Sequence, residues 1–247
     1  MIANWLTALH VGLLVAGVTA FQPLALTGPS VSTAATKRTP ASTTALSATA
    51  GNLMCRPIGV GSAAPDTIIT NADLEKVVET SDEWIRTRTG IAQRRVLLQG
   101  ESLRALQLKA AQNALDMAGV SPEDIDVVIC ATSSPEDMFG DAPWVAAELG
   151  CTTDTVAFDL TAACSGFLFG CVTAGKFLSA ANGKSTKALV IGADALSRFV
   201  DWDDRNTCIL FGDGAGAMVL EGTEEESGLL GFSAHSNGKG YGELKCA

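Results

Sequence analysis

The sequence predicts an α/β fold, because short apolar segments typical of strands alternate with segments of helical periodicity along the chain. The clearest strand is residues 187–193, a continuous apolar run, and the clearest amphipathic helix is residues 101–118. Glycine is abundant, with 25 residues, whereas aromatic residues make up only 6% of the chain. This composition suits close packing of helices on a sheet.

The individual elements follow from local signals in chain order. Residues 58–61 predict a short first strand, and Asn71 is predicted to cap a helix that continues to about residue 79. Ser81 caps a second short helix, and Gly119 ends the helix of residues 101–118. The remaining predictions are a strand at 125–132, a loop at 133–141, a helix at 143–149, a polar turn at 201–206, a tight glycine-rich turn at 212–216 and a strand at 217–221.

The segment around Cys164 carries the strongest chemical signal. A short apolar strand at 156–160 leads through small residues into an apolar segment that reads as a buried helix. A thiol at the start of a helix faces the positive end of the helix dipole, which favours the nucleophilic thiolate. The alternative is an inert core cysteine, the commoner role of a cysteine in an apolar segment.

Three motifs resemble one enzyme family. The segment AACSGF at residues 162–167 is similar to the nucleophile motif of β-ketoacyl-acyl-carrier-protein synthase III, the initiating condensing enzyme of type II fatty acid synthesis. TSDEWIRTRTGI at 80–91 and FGDGAGA at 211–217 resemble two further signatures of that family, in the same order. The resemblance covers about residues 58–244. It implies the thiolase-like fold, of which this chain has the N-terminal half and the start of the C-terminal half.

The resemblance implies roles for the nucleophile and for several residues that bind coenzyme A. Cys164 would accept the acetyl group from acetyl-CoA, which is a substrate, and no permanently bound cofactor is expected. Trp84 would stack on the adenine with Arg88 beside it, and the further contacts would come from Thr80, Thr89 and Arg205. The residue after Arg205 is Asn206, where the family usually has glycine. A tryptophan that packs a helix, beside a solvated arginine, is the alternative for Trp84 and Arg88.

Two phenylalanines are implied to shape the acyl pocket. Phe211 would line it, and Phe139 would reach the pocket of a neighbouring subunit, which implies a homodimer. The alternative for Phe139 is an aromatic residue that covers its own core. The second substrate implied by the family is malonyl-acyl-carrier protein, and the product is acetoacetyl-acyl-carrier protein.

The family's decarboxylating histidine and asparagine are expected downstream of residue 247. His235 lies in a segment that resembles the one before the family's histidine motif, so it is not assigned the decarboxylating role. We therefore expect a C-terminally truncated chain, with residues 51–222 as the N-terminal domain and 223–247 as the start of the next. Two alternatives stay open: a non-catalytic half-domain that binds acyl-CoA or carrier protein, and a polyketide-type or longer-chain starter synthase.

Residues 1–50 have the composition of a leader. Residues 1–20 predict a signal peptide, and residues 21–50, rich in Ser, Thr, Ala and Pro with no acidic residue, resemble a transit peptide. Such a two-part leader predicts the stroma of a plastid, and a plain secreted protein is the alternative. No membrane association is expected after the leader is removed.

Charge and cysteine content narrow the remaining function classes. A formal net charge of −10 argues against nucleic acid as a partner, and no basic patch for an acidic carrier protein stands out. The seven cysteines lack the paired spacing of zinc sites, so reduced thiols and no metal are expected. They are Cys55, Cys130, Cys151, Cys164, Cys171, Cys208 and Cys246.

Overall fold

The structure is a computed structural model that describes residues 53, 55–179, 186–225 and 228–243. The predicted signal peptide and the transit-peptide-like segment lie outside these residues, as does Cys246. The chain divides into two compact units. One unit spans residues 48–232 and contains all the elements of the sheet, and the described residues 233–243 belong to the other unit.

The larger unit is a mixed α/β structure. Its strands are β1 (Cys55–Ala63), β2 (Ile68–Thr70), β3 (Gln93–Arg95), β4 (Val127–Ala131), β5 (Val156–Leu160), β6 (Lys187–Ala195) and β7 (Asp213–Gly222). Its helices are α1 (Asn71–Leu74), α2 (Asp82–Thr89), α3 (Leu103–Ala118), α4 (Ala142–Leu149) and α5 (Gly166–Ser179). Short 3-10 turns occupy Pro122–Asp124, Ala163–Ser165 and Leu196–Arg198, and a fourth, Gly238–Glu243, lies in the smaller unit.

Five of the strands form one sheet in the order β1-β7-β6-β4-β5, and β2 and β3 form a separate antiparallel pair. Strand β4 is parallel to both of its neighbours, β5 and β6, whereas β7 is antiparallel to β6 and β1. The predicted apolar strand is thus β6, the central strand of the sheet. Strand β5 ends the sheet on one side.

Helices cover both faces of this sheet. Helices α3 and α4 pack with one set of strand residues, and α5 packs with the alternate set, so two separate cores lie on opposite faces. A third apolar cluster joins α1, α2 and the segment before β7. Every residue of β4 is buried, as expected for a strand with parallel neighbours and helices on both sides.

The predicted cap of the first helix was wrong by one residue. Thr70, not Asn71, caps α1: its hydroxyl accepts a hydrogen bond from the amide of Asp73, while the Asp73 carboxylate accepts one from the amide of Thr70. The side chain of Asn71 instead turns inward and donates to Asp82 and Ile91. Helix α1 then ends at Leu74, short of the predicted residue 79.

The glycine-rich segment 212–216 was also misassigned, because it is mostly strand and not turn. Strand β7 begins at Asp213 and pairs on both sides, with β1 and with β6. Pairing along both edges holds these small residues extended. At Gly212 a Cβ atom would lie 2.8 Å from the carbonyl oxygen of Arg95, so the chain passes too close for a side chain there.

Other local predictions were confirmed. The Ser81 hydroxyl accepts a hydrogen bond from the amide of Trp84 at the start of α2, and α3 ends at Gly119 with a φ of 65°. The 133–141 segment is a loop, and Pro143 lies in the first turn of α4. Within the described residues, no helix is long and apolar enough to cross a membrane.

We predict that Gly61→Ala destabilises the larger unit by about 1–3 kcal/mol. A Cβ atom at Gly61 would collide with the carbonyl oxygen of Ala110, so α3 would have to move off the sheet. Urea unfolding followed by circular dichroism measures the change. Gly216→Ala is the matched control, because its Cβ atom would meet nothing closer than the Gly61 oxygen at 3.9 Å. Equal midpoint shifts in the two variants would contradict the close approach of α3 to β1.

Candidate active site

Cys164 lies between an edge strand and a helix. Strand β5 ends at Leu160, the turn Ala163–Ser165 follows, and α5 begins at Gly166. Cys164 is therefore at the amino end of α5, as the sequence predicted, and it is exposed. The backbone amides of the first helical turn and the helix dipole favour negative charge at this end.

The residue before Cys164 has an unusual backbone. Ala163 has a φ of 46°, and it is the one residue other than glycine with a positive φ in the described part of the chain. A side chain in this region is sterically disfavoured, and such strain is concentrated at functional sites. The sharp turn it produces leaves the Cys164 side chain exposed between strand and helix. No sequence signal predicted this conformation, because alanine does not favour it.

The other described cysteines contrast with Cys164. Cys55, Cys130, Cys171 and Cys208 are buried, and Cys151 is half-buried. Burial raises the pKa of each of these thiols, to about 11 for Cys171. A raised pKa keeps a thiol protonated and unreactive near neutral pH. All six described cysteines are free thiols, and Cys164 is the exposed one among them.

Helix α5 lies very close to the sheet, which fixes the position of its amino end. A Cβ atom at Gly170 would be 2.8 Å from a methyl group of Val190, and one at Gly166 would be 3.3 Å from the Cβ atom of Ala131. The prediction of a buried helix holds for the face that packs on the sheet. Away from this contact face, Leu168 is 67% exposed and Phe177 is 44% exposed.

Trp84, Arg88 and Arg205 form a second cluster. The guanidinium carbon of Arg88 lies 4.7 Å from the centre of the Trp84 ring, and that of Arg205 lies 4.4 Å from it. Arg205 also donates a hydrogen bond of 2.9 Å to the carbonyl oxygen of Glu79. The structure therefore brings together three of the predicted coenzyme A residues, from α2 and from the segment between β6 and β7. Two cations on one half-buried ring form a surface suited to an aromatic, anionic ligand.

The two predicted threonines have different surroundings. Thr89 uses its hydroxyl within the chain, donating to the carbonyl oxygen of Ile85 and accepting from the amide of Ile91. The Thr80 hydroxyl oxygen is buried and has no hydrogen-bond partner within the described part of the chain. Neither arrangement shows a ligand contact, so both assignments stay predictions.

The two predicted pocket phenylalanines are both exposed. Phe211, two residues before the start of β7, is 39% exposed. Phe139 is 88% exposed, as is its neighbour Met138. Phe139 therefore does not cover the core of its own unit, which was the alternative considered for it.

The loop that carries Phe139 is held by two carboxylates, Asp159 and Asp141. Asp159 accepts hydrogen bonds from the amides of Asp141 and Ala142. The Asp141 carboxylate, itself fully buried, accepts from the amide of Glu136 and pairs with Arg104 at 2.7 Å. These hydrogen bonds hold both ends of the segment 136–141, from which the exposed side chains of Met138 and Phe139 project.

The segments that carry Cys164 and Arg205 both follow strands of the parallel part of the sheet. The parallel strands β4, β5 and β6 run in the same direction: Ala131, the last residue of β4, is opposite Leu160, the last residue of β5, and opposite Gly192, three residues before β6 ends at Ala195. The Cys164 turn leaves from the carboxyl end of β5, and the segment that carries Arg205 leaves from that of β6. Open α/β sheets bind ligands at the carboxyl ends of their strands.

His235 is exposed, and its ring lies 3.0 Å from the Ser233 hydroxyl within the smaller unit. No role is assigned to it. Among the described residues, no group of three or more His, Cys, Asp or Glu side chains could hold a metal ion.

Comparison with known proteins agrees with this geometry. The family model for 3-oxoacyl-[acyl-carrier-protein] synthase III matches residues 158–238, which include Cys164, Arg205 and Phe211. The β-ketoacyl-[acyl-carrier-protein] synthase III of Synechococcus sp. is 59% identical over 181 residues, which are 73% of this chain and 52% of that protein. The chloroplastic synthase III of Arabidopsis thaliana is 53% identical over 194 residues, 78% of this chain and 48% of that protein.

A crystal structure of 3-oxoacyl-[acyl-carrier-protein] synthase III from Aquifex aeolicus superposes with a TM-score of 0.65 at 46% identity, covering 70% of this chain and 55% of that one. The chain thus spans about half the length of the curated relatives that it matches. The predicted α/β, thiolase-like fold is confirmed by these structural neighbours. On this sequence identity and this fold, the chain belongs to the β-ketoacyl-[acyl-carrier-protein] synthase III family.

Proposed function

We propose that the protein catalyses the initiating condensation of type II fatty acid synthesis, with Cys164 as the residue that carries the acyl group. Acetyl-CoA and malonyl-acyl-carrier protein are the substrates, and acetoacetyl-acyl-carrier protein, carbon dioxide and coenzyme A are the products. The observation that carries this proposal is the exposed Cys164 on a strained turn at the amino end of α5. A cysteine used only for packing would be buried, as most of the other described cysteines are.

In the first step, the Cys164 thiolate attacks the thioester carbonyl carbon of acetyl-CoA. The carbon–sulfur bond to coenzyme A then breaks, and coenzyme A leaves with the electron pair of that bond. The helix dipole favours negative charge at the amino end of α5, where this attack takes place. Small residues on both sides of Cys164, such as Ala162 and Gly166, leave room for the thioester.

The Trp84 cluster supports recognition of coenzyme A. An adenine ring can stack on an aromatic or guanidinium plane, and guanidinium groups bind phosphate oxygens through paired hydrogen bonds. Trp84, Arg88 and Arg205 supply these groups at one place. We assign this cluster to the nucleotide end of acetyl-CoA and Cys164 to its thioester end.

In the second step, malonyl-acyl-carrier protein loses carbon dioxide, and the resulting carbanion attacks the acyl group on Cys164. The new carbon–carbon bond releases the Cys164 thiolate. Groups that stabilise the intermediate enolate are required. The family resemblance assigns them to a histidine and an asparagine of the second half of the fold, and we assign none of the described residues to this step.

We further propose that the protein acts as a homodimer in a plastid. Phe139 is almost fully exposed on a braced loop, which supports insertion into a second subunit. The plastid is supported by the match to a chloroplastic relative and to a cyanobacterial one.

Replacement of the nucleophile tests the acyl-transfer step. We expect Cys164→Ala to lower covalent labelling of the full chain by radioactive acetyl-CoA to less than about 1% of the unmutated level. Cys151→Ala is the matched control and should keep its labelling, because burial raises the pKa of the Cys151 thiol. Unchanged labelling in Cys164→Ala would contradict the assignment. If the unmutated chain binds acetyl-CoA but is not labelled by it, a non-catalytic binding domain would be favoured.

Loss of one guanidinium tests the coenzyme A cluster. We expect Arg205→Ala to weaken acetyl-CoA binding about tenfold, because a cation on Trp84 and a phosphate contact are both removed. Isothermal titration calorimetry measures the change. Arg56→Ala is the control, since Arg56 pairs with Glu221 on the surface and lies outside the cluster. An equal effect of the two substitutions would show a general charge effect instead of a site.

A further inference from the structure

Arg94, in β3, is a buried cation without a counterion. Arg94 is only 6% exposed. No carboxylate of the described part of the chain lies within ion-pair distance of its side chain. One of its nitrogen atoms, Nε, has no hydrogen-bond partner there. Burial lowers the pKa of Arg94 from its usual value. A buried charge of this kind is costly, so its presence requires an explanation other than stability.

The hydrogen bonds of Arg94 join three separate segments. Its two terminal nitrogen atoms donate to the carbonyl oxygen of Ile69 in β2, to the side-chain oxygen of Asn71 in α1 and to the carbonyl oxygen of Ile209. The bond to Asn71 is 2.8 Å long, and the bond to Ile209 is 3.2 Å long. Ile209 lies between Arg205 and Phe211, in the segment that supplies one wall of the coenzyme A cluster.

Asn71 continues the connection to the other wall. It is buried, and its amide nitrogen donates to the Asp82 carboxylate and to the carbonyl oxygen of Ile91, both at 2.8 Å. Asp82 is the first residue of α2, and Trp84 is in the same turn of this helix. A chain of hydrogen bonds therefore runs from Ile209 through Arg94 and Asn71 to Asp82.

The two ends of this series of hydrogen bonds lie in the segments whose side chains form the contact between Arg205 and the Trp84 ring. At one end, Ile209 is four residues after Arg205. At the other end, Asp82 begins the helix that presents Trp84 and Arg88. The guanidinium of Arg205 rests 4.4 Å from the Trp84 ring centre, so the spacing of the two walls decides whether this contact forms.

We propose that Arg94 is a positioning residue for the coenzyme A site, which holds the segment of Arg205 at a fixed distance from helix α2. This inference rests on the proposed function, because it takes the Trp84 cluster as the nucleotide-binding surface. The planar guanidinium suits this role, since it spans three acceptors in fixed directions, whereas a lysine ammonium is a single point of charge.

The test is Arg94→Met in the full chain, with Arg94→Lys as the conservative variant. We expect Arg94→Met to weaken acetyl-CoA binding about tenfold in calorimetry without lowering the urea midpoint, and Arg94→Lys to recover part of the loss. Arg95→Met is the matched control. Arg95 is the next residue in β3, and it donates only to the carbonyl oxygens of Pro65 and Asp66, away from the cluster.

A second readout needs no coenzyme A. Acrylamide quenching of Trp84 fluorescence, taken as the difference between each protein and the same protein with Trp84→Phe, reports how far the ring is covered. We expect quenching of Trp84 to increase in both Arg94→Met and Arg205→Met, and to stay unchanged in Arg95→Met. If Arg94→Met does not fold, Arg94→Lys decides, with increased quenching expected there as well.

The outcomes separate the two proposals. If the unmutated chain does not bind acetyl-CoA, the proposed function fails, and the quenching experiment still decides the role of Arg94. If quenching and acetyl-CoA affinity are both unchanged in Arg94→Met, the positioning role is wrong. A loss of affinity that only follows a lowered urea midpoint, with no rescue by Arg94→Lys, would make Arg94 a residue of general stability and would also overturn the proposal.

Discussion

The parallel pairing of β4 with β5 and with β6 is the constraint on which the site depends. It brings the carboxyl ends of three strands to one edge of the sheet, and the segments that follow β5 and β6 carry Cys164 and Arg205. The close approach of α5 at Gly170 then fixes where the Cys164 turn stands above that edge. Neither segment could supply its side chain to a common site if the strands ran in opposite directions.

Acidic side chains hold the loops around this edge in place. Asp141 and Asp213 are buried, and each accepts hydrogen bonds from backbone amides in the segments that surround the site. Asp159 and Asp194 do the same at the ends of β5 and β6. These carboxylates count in the formal charge of −10 but are directed into the structure. Four of the 27 acidic residues of the chain therefore brace the loops of this region.

Local signals predicted the parts of the molecule that local interactions determine. The caps at Ser81 and Gly119 follow from the conformational preferences of single residues, and the position of Cys164 follows from the change of pattern between strand and helix. The φ of Ala163 was not predictable, because the neighbouring sheet and helix impose it on a residue that does not favour it.

Contacts between distant segments account for the rest. The sequence assigned a turn to the residues before 217, since glycine is common in turns, and pairing with two strands made them part of β7. Nothing in the sequence near Arg94 shows that it is buried, because its acceptor at Ile209 is far away in the chain.

The first strand also depends on a distant segment, since Cys55 in β1 pairs with Gly222 in β7. Pairing of segments so far apart is slow, because the entropy of closing a long loop is lost before the stabilising contacts form. During synthesis on a ribosome, β1 therefore cannot pair until β7 has been made. The strand that is synthesised first is then the last to join the sheet.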